Sequence, residues 1–180
     1  PGRQGPQGHS RCARAAGAQV LLVPNASPFH LGKQAQRLQT MRSNVSHFGL
    51  ALVYANMVGG QDELVFDGDT MIAREDGTIV QRALQFVEDL VVADLDLAPG
   101  DAPLQSELAE GTVPAEPGES GMIIRRHHIS DAGDAPAELI TPTIARPLEA
   151  MAEVYLALVM GLRDYCYKNG IERVYLGLSG

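Results

Sequence analysis

The segment from Asn25 to Lys33 carries the residues best suited to bind a small polar molecule. It reads Asn-Ala-Ser-Pro-Phe-His-Leu-Gly-Lys and lies between an apolar run and a helical pattern. Loops at the carboxyl ends of strands in α/β sheets are where ligands usually bind. A Ser27 hydroxyl and a Lys33 ammonium there would hold the amino-acid end of a small zwitterion, with Lys33 pairing with its carboxylate. On the residues alone, a helix-capping Ser27 and a solvated Lys33 are the more common outcome.

The segment from Gly59 to Gly68 is a second candidate. Its glycines permit tight backbone turns, and Asp62 and Glu63 place two carboxylates side by side. Glu63 is conceivable as a general base. A loop and a strand that ends in a turn at Asp67 explain the same residues without chemistry, and this interpretation is favoured.

The last five residues form a third candidate, in which a predicted strand runs into a Gly/Ser turn. They are Leu176-Gly177-Leu178-Ser179-Gly180. Such a turn can direct backbone amides and a hydroxyl at phosphate oxygens. This composition is common in ordinary turns, so the motif by itself is weak.

Neither of the two cysteines is predicted to be a nucleophile, and no metal site is predicted. Cys12 lies on a short Ala-rich helical segment, and no residue can be assigned as its base. Cys166 falls on the apolar face of the last helical pattern and is expected in the core. His127 and His128 are adjacent, so in a strand they would point to opposite faces.

The hydrophobic pattern of the first half predicts an α/β fold. Apolar residues between Leu31 and Phe48 recur at steps of three and four, which is typical of an amphipathic helix, and Gly49 ends it. The apolar runs Val20–Val23 and Leu50–Ala55 predict two strands, each of them buried on both faces. A short helix is predicted at Arg11–Ala16. The alternation of strand, helix and strand favours an α/β sandwich over an all-helical fold.

A run of shorter strands follows, separated by turn-forming residues, after a loop at Val58–Gly60. They are predicted at Leu64–Phe66, Thr70–Ala73, Ile79–Val80 and Leu90–Leu97.

The composition changes after residue 97. Between Ala98 and Ser120 there are four prolines and five acidic residues without a Lys or Arg, so this stretch cannot bury enough apolar surface to offset its ordering entropy. We predict three parts: residues 1–97, a linker at 98–142 with a short strand at Met122–Ile124, and residues 143–180.

The last part contains a clear helical pattern followed by a predicted strand. Pro147 suits a first helical turn, and apolar residues from Leu148 to Cys166 keep helical spacing until Asn169-Gly170. A strand is predicted to begin at Val174–Leu176. Helix, strand and Gly/Ser turn make half of a nucleotide-binding βαβ arrangement.

The overall composition excludes several classes of function. A net charge of −8 argues against non-specific binding to nucleic acid or membrane surfaces, since both are polyanions. The sparse cysteines favour a reducing compartment, and no apolar run is long enough to span a bilayer. We therefore expect a cytoplasmic protein, although the composition itself identifies no small-molecule partner.

Three sequence segments, taken in their order along the chain, resemble one protein family. Gly17–His30 and Tyr54–Gly68 closely resemble the nitrilase-type glutaminase domain of glutamine-dependent NAD synthetases. Glu153–Gly180 is similar to the helix and strand that open their synthetase domain, where the turn continues into the pyrophosphate-binding loop of ATP pyrophosphatases. The resemblance implies the C-terminal half of an αββα nitrilase-like sandwich (1–97), a flexible linker (98–142) and the first helix and strand of a Rossmann-like ATP-pyrophosphatase domain (143–180).

The resemblance also implies a function. It implies a ligase that amidates deamido-NAD(+) to NAD(+), using ATP and ammonia released from L-glutamine, with Mg²⁺ accompanying ATP and a homo-oligomeric assembly. Ser27 and Lys33 would contact L-glutamine, which reverses the interpretation from the residues alone. The start of the ATP-binding loop would be Gly177, Leu178, Ser179 and Gly180.

The resemblance places the family's Glu-Lys-Cys triad before Pro1, so the chain by itself is expected to be inactive in both half-reactions. The family's base is not Glu63. Met57 stands where the family usually has a polar residue, and Pro1–Ser10 does not resemble the corresponding region. Two alternatives are a stand-alone nitrilase-type amidase and a non-catalytic nitrilase-like interaction module. The helix and Gly/Ser turn after the linker argue against the first, and the absent triad permits the second.

Overall fold

The fold is taken from a computed structural model that describes residues 6–97, 110–113, 122–125, 127, 129 and 138–179. These residues form three helices and eight strands. In chain order the elements are α1 (Pro6–Ala15), β1 (Val20–Asn25), α2 (Lys33–Phe48), β2 (Ala51–Asn56), β3 (Val58–Gln61), β4 (Leu64–Asp67), β5 (Met71–Ala73), β6 (Ile79–Arg82), β7 (Glu110–Val113), β8 (Met122–Arg125) and α3 (Ala150–Lys168). The predicted α/β class is confirmed.

Helix α2 forms where the three-and-four spacing predicts it. Leu38, Met41 and Val45 turn one apolar stripe toward the sheet. Glycines in the left-handed region flank the helix, Gly32 with φ 78° and Gly49 with φ 59°. The Gly49 N–H donates to the Val45 carbonyl at 2.8 Å, so the predicted stop at Gly49 is confirmed.

Strands β1 and β2 are parallel neighbours joined through α2. Val20 pairs with Ala51, and Asn25 pairs with Asn56 at the other end of the ladder. β5 and β6 continue the sheet with antiparallel pairing, in the order β1-β2-β5-β6. The carboxyl ends of β1 and β2 therefore meet at one edge of the sheet, and both strands end there in an asparagine.

The main apolar core lies between α2 and the four-stranded sheet. Its buried members are Met41, Val45, Leu52, Tyr54, Met71 and Ala73. Since burial of apolar side chains is the dominant favourable term in folding, this core fixes α2 and with it the loop that enters the helix.

Helix α3 packs on the β3–β4 hairpin, which lies between β2 and β5 in the chain. A second cluster forms there from Phe86, Ala157 and Met160. Gly60 and Gly161 allow a close approach, since a Cβ at Gly60 would lie 3.2 Å from the Gly161 Cα. α3 is thus docked on the first part of the chain, of which residues 6–97 are described.

Several predictions about the strands are wrong. Val58–Gly60 is strand β3 rather than a loop, because it pairs with β4 across the turn at Asp62. Leu90–Leu97 forms no strand, since its backbone bonds to side chains instead: the Val92 carbonyl accepts from Gln81 at 2.6 Å. β1 is not buried on both faces, because Leu22 is 73% exposed.

The third predicted part also needs correction. The helix is present, but residues 171–179 adopt no regular structure, so the strand predicted at Val174–Leu176 is not formed. A strand needs a neighbour to complete its hydrogen bonds, and none of the described strands pairs with it. The predicted apolar face of α3 is the exposed one: Tyr155 and Leu158 are 66% and 69% exposed, and Cys166 is half-buried. The face that packs instead carries Ala157, Met160 and Gly161, and Gly161 lies directly against Gly60 of β3.

Most of the predicted linker, residues 98–142, lies outside the described residues. Within it, β7 and β8 pair as an antiparallel hairpin. β8 covers the predicted short strand at Met122–Ile124, whereas β7 lies where the composition predicts no regular structure.

Candidate functional site

The loop between β1 and α2, residues 25–33, lies at the edge where β1 and β2 end. Asn56, the last residue of β2, holds Ser27 at both backbone polar groups. The Ser27 N–H donates to the Asn56 Oδ1 at 2.8 Å, and the Asn56 Nδ2 approaches the Ser27 carbonyl at 3.4 Å. The same Nδ2 donates to the Gly68 carbonyl at 2.9 Å, so Asn56 also links the loop to the turn that follows β4.

Two further backbone bonds shape the loop. The Phe29 N–H donates to the Val65 carbonyl of β4 at 2.7 Å, and the Lys33 N–H donates to the His30 carbonyl at 2.9 Å. The Phe29 ring lies edge-on to Phe86 at 5.3 Å. The loop is therefore anchored near its beginning by β2 and in its middle by the β3–β4 hairpin.

Beneath the loop, four charged side chains form a buried cluster. Arg37 of α2 donates to both carboxylate oxygens of Asp67, at 3.0 and 2.9 Å. Arg82 of β6 donates to Asp69 at 2.6 Å, and Asp69 also lies 3.5 Å from Arg37. With all four groups ionised, two positive charges balance two negative ones. The Arg37 Nη2 also lies 3.5 Å from the Ser27 carbonyl, so the cluster reaches the loop itself.

The environment of this cluster shifts its pKa values. Burial raises the pKa of Asp69, against the opposing effect of its hydrogen bond to Arg82. Burial by itself would lower the pKa of Arg37, but the hydrogen bond and charge of Asp67 outweigh it and the pKa is raised. Arg37 therefore stays charged, which keeps its bidentate pair with Asp67 intact.

Tyr54 adds a polar group below Ser27. The Arg37 guanidinium lies 5.7 Å from the centre of its ring, and among the described residues its buried hydroxyl has no hydrogen-bond partner of good geometry. Burial raises the pKa of Tyr54, while the charge of Arg37 and the Ser27 hydroxyl act in the opposite direction. The tyrosine is therefore a neutral hydroxyl at neutral pH.

The structure places the two predicted glutamine contacts at opposite ends of this anchored loop. Both are half-buried, and Lys33 begins α2. None of the ion pairs among the described residues involves Lys33. Because α2 has no acidic residue in its first turn, an ammonium there lies next to like-signed helix-end charge. A bound carboxylate would satisfy both positive charges at once.

The predicted ATP-loop residues are placed differently. Gly177, Leu178 and Ser179 lie in the irregular residues 171–179, and Leu178 is 88% exposed. A Cβ at Gly177 would meet no atom within 4 Å. Gly180 lies outside the described residues. No phosphate-binding turn is formed by the described part of this segment.

A cavity of about 260 Å³ has Asn56 in its wall, but neither Ser27 nor Lys33 lines it. Its walls include Asp69, Glu88 and Asp89. Three carboxyl groups make this cavity a poor site for the carboxylate of an amino acid. The loop at residues 25–33 is therefore the better candidate.

The described part of the chain contains no group of three or more His, Cys, Asp and Glu residues able to hold a metal ion. None of its helices is long and apolar enough to cross a membrane. Cys12, rejected as a nucleophile, is buried.

Sequence reasoning missed the residues that hold the loop. Arg37 stands four residues before Met41 on the buried stripe of α2, and that spacing was the available signal for its burial. Asn56 and Asp67 carried the signal of polar residues that end strands. Their partners lie 29 and 30 positions away in the chain, a distance that a local pattern does not reveal.

Comparison with known proteins decides the family. Residues 7–101 match the sequence model described as carbon-nitrogen hydrolase. The chain belongs to this family. Its α/β sheet is accordingly the carbon-nitrogen hydrolase, or nitrilase-like, fold, and the predicted nitrilase-like fold is confirmed.

Similarity extends beyond the carbon-nitrogen hydrolase region. The chain is 37% identical over 165 residues to a glutamine-dependent NAD(+) synthetase of Xanthomonas campestris pv. campestris (strain 8004), covering 92% of this chain and 24% of that protein. It is 34% identical over 175 residues to one of Aquifex aeolicus (strain VF5), covering 97% of this chain and 30% of that protein. The resemblance to glutamine-dependent NAD synthetases is thus confirmed, and the chain spans about a quarter of the length of these relatives.

A solved structure is also similar. It is a glutamine-dependent NAD+ synthetase from Acinetobacter baumannii in complex with adenosine diphosphate, with a TM-score of 0.57 and 30% identity. The match covers 87% of this carbon-nitrogen hydrolase chain and 23% of that structure.

Proposed function

We propose that the chain is part of a glutamine-dependent NAD(+) synthetase and that residues 25–33 recognise L-glutamine. The observation that carries the proposal is the loop itself. Asn56 holds the Ser27 backbone at both polar groups, and Lys33 presents an ammonium without an ionic partner among the described residues. A hydroxyl and an ammonium in a loop fixed by the sheet suit the carboxylate and ammonium of an amino acid.

In this proposal the residues of the chain bind and orient the substrate. The Lys33 ammonium donates to the glutamine carboxylate, and the Ser27 hydroxyl bonds to the same end of the molecule. The side-chain amide is then presented to the cleaving nucleophile, which the family resemblance assigns to a residue preceding Pro1. The ammonia produced displaces AMP from the adenylated nicotinate carboxyl of deamido-NAD(+), which gives NAD(+).

The extent of the similarity favours a synthetase over a stand-alone amidase. The carbon-nitrogen hydrolase match ends at residue 101, whereas the similarity to NAD(+) synthetases covers 92% of the chain. The part after residue 101 includes α3, which is docked on the carbon-nitrogen hydrolase part of the chain. We propose that residues 177–180 begin the ATP loop and acquire their form only beside other parts of the synthetase. The cytoplasmic location and the homo-oligomeric state stay predictions.

The test is to measure NAD(+) formation by the complete enzyme with glutamine and with ammonia as nitrogen source. For Ser27→Ala and Lys33→Ala we expect kcat/KM for glutamine to fall roughly 10- to 100-fold, as for loss of a hydrogen bond to a charged group. Synthesis from ammonia should be retained, because ammonia bypasses the loop.

Exposed residues on α2 supply matched controls. Ser43→Ala removes an exposed hydroxyl and Arg42→Ala removes an exposed positive charge, and both should retain glutamine use. Equal losses with both nitrogen sources in the Ser27 and Lys33 variants would contradict the proposed role.

A further inference from the structure

Helix α3 contacts the carbon-nitrogen hydrolase part of the chain through a buried carboxylate. Glu153 is 2% exposed, and its Oε1 accepts hydrogen bonds from the amide groups of Gln34 and Gln85, both at 2.8 Å. None of the ion pairs among the described residues involves Glu153. Burying a carboxylate without a cation is costly, and a well-packed apolar residue would usually hold two elements together at least as well. The position therefore requires an explanation other than adhesion.

Gln34 is the residue through which Glu153 acts on the loop. It follows Lys33 directly in the first turn of α2. Its Nε2 donates to Glu153 and also approaches the Leu148 carbonyl at 3.2 Å, and its Oε1 accepts from Arg82 at 3.0 Å. One side chain at the start of α2 is thus held by the buried charged cluster on one side and by α3 on the other.

The far end of α3 reaches the same loop by a separate route. Asp164 accepts from the Gly60 N–H at 2.7 Å, and the Lys168 Nζ donates to the Gly60 carbonyl at 2.6 Å. Gly60 pairs with Val65 in the β3–β4 ladder, and the Val65 carbonyl accepts from the Phe29 N–H at 2.7 Å. The two ends of α3 therefore hold the loop at two points, its exit at Lys33 and its middle at Phe29.

We infer that Glu153 and Asp164 are positioning residues for glutamine binding, which make the geometry of residues 27–33 depend on the docking of α3. The inference rests on the proposed function of that loop.

The decisive variants change only the acceptor at residue 153 in the complete enzyme. Glu153→Ala removes the acceptor for both amides, and we expect the KM for glutamine to rise roughly tenfold or more while kcat with ammonia changes by less than about twofold. Glu153→Gln keeps an Oε1 acceptor and should restore most of the glutamine affinity. Glu149→Ala, at an exposed glutamate just before α3, is the matched control and should have no effect.

Hydrogen exchange gives a readout that does not depend on activity. In Glu153→Ala, the amides of Phe29 and Lys33 should exchange faster while those of β5 keep their protection. If Glu153→Ala does not yield folded protein, Asp164→Ala removes the acceptor for Gly60 at the more accessible end of α3 and should accelerate exchange at Phe29.

Three results would overturn the inference: unchanged glutamine KM in a folded Glu153→Ala enzyme, equal loss with glutamine and ammonia, or failure of Glu153→Gln to restore the affinity. The Ser27→Ala variant separates this from failure of the proposed function. If Ser27→Ala lowers glutamine use and Glu153→Ala does not, the loop binds glutamine and only the positioning role is wrong. If neither lowers it, the function assigned to the loop is wrong.

Discussion

Replacing Asn56 with alanine should separate the loop at residues 25–33 from the sheet without altering either residue proposed to contact substrate. The Asn56 side chain is 9% exposed and makes two well-formed hydrogen bonds, with the Ser27 N–H at 2.8 Å and with the Gly68 carbonyl at 2.9 Å. The 3.4 Å approach to the Ser27 carbonyl is too long to add much. Asn56→Ala leaves the part-buried Ser27 N–H and the buried Gly68 carbonyl without their partners.

The magnitude follows from those two bonds. A hydrogen bond contributes about 0.5–1.5 kcal/mol, and an unsatisfied buried group costs about 1–3 kcal/mol. We therefore expect Asn56→Ala to lower the free energy of unfolding by about 2–4 kcal/mol, part of which local water can recover. Since a misplacement of about 1 Å in a positioning element can cost roughly 100-fold in rate, kcat/KM for glutamine should fall by about 10- to 100-fold.

The assay compares glutamine- and ammonia-supported NAD(+) formation by the complete enzyme, alongside urea unfolding followed by circular dichroism. Asn44→Ala, on α2 and half-buried, is the control, because none of the hydrogen bonds among the described side chains involves it. An Asn56→Ala enzyme that keeps its glutamine kcat/KM while losing stability would refute the reasoning. The loop geometry would then not depend on the clamp.

Two further predictions concern the contact between α3 and β3. Gly60→Ala should displace α3 and destabilise the protein by about 1–3 kcal/mol in urea unfolding, because its Cβ would lie 3.2 Å from the Gly161 Cα and the Asp164 Cβ; Gly177→Ala, in open space, should have no effect, and an equally stable Gly60→Ala protein would contradict the packing. The hydrogen bond to Arg163, and also that to Gly60, holds the pKa of Asp164 below its usual range. The ionised Asp164 carboxylate therefore stabilises the folded protein at pH values above the ordinary carboxyl pKa, and this stabilisation is lost as the pH falls below about 4. Exchange protection of the Gly60 amide, corrected for the intrinsic rate, should decline in that range, and Asp164→Asn should abolish this pH dependence.

The sequence predicts the part of the fold that depends on local periodicity. The stripe of Leu38, Met41 and Val45 determines α2, and Gly49 ends it as expected. The β-α-β unit follows from the apolar runs on either side of that helix. The exposure of Leu22 on β1 could not be predicted, because a short apolar run does not reveal whether both faces of its strand are covered.

Polar residues at buried positions explain most of what the sequence did not show. Gln34 and Arg37 lie on the same face of α2 as Met41, yet a charged or amide side chain is normally expected in solvent. Their burial depends on Asp67, Arg82 and other partners that only the folded chain brings near. Strand formation at Val58–Gly60 likewise depends on a hairpin partner.

Helix α3 shows the same limit in another form. Its spacing predicts a helix with an apolar face, but the face that packs here carries Glu153, Ala157 and Met160. The sequence does not state which of two faces meets a given neighbour. The contact between α3 and β3 depends on Gly60 and Gly161, whose small size permits the close approach.

The most direct test of a glutamine site in residues 25–33 uses a substrate analogue. Lys33→Met should lower kcat/KM for glutamine about 10- to 100-fold. For an analogue whose α-carboxylate is replaced by a neutral amide, the same substitution should leave kcat/KM unchanged, because only the carboxylate pairs with the Lys33 ammonium. Equal losses for glutamine and for the neutral analogue would contradict the assigned contact and, with it, the account of this loop.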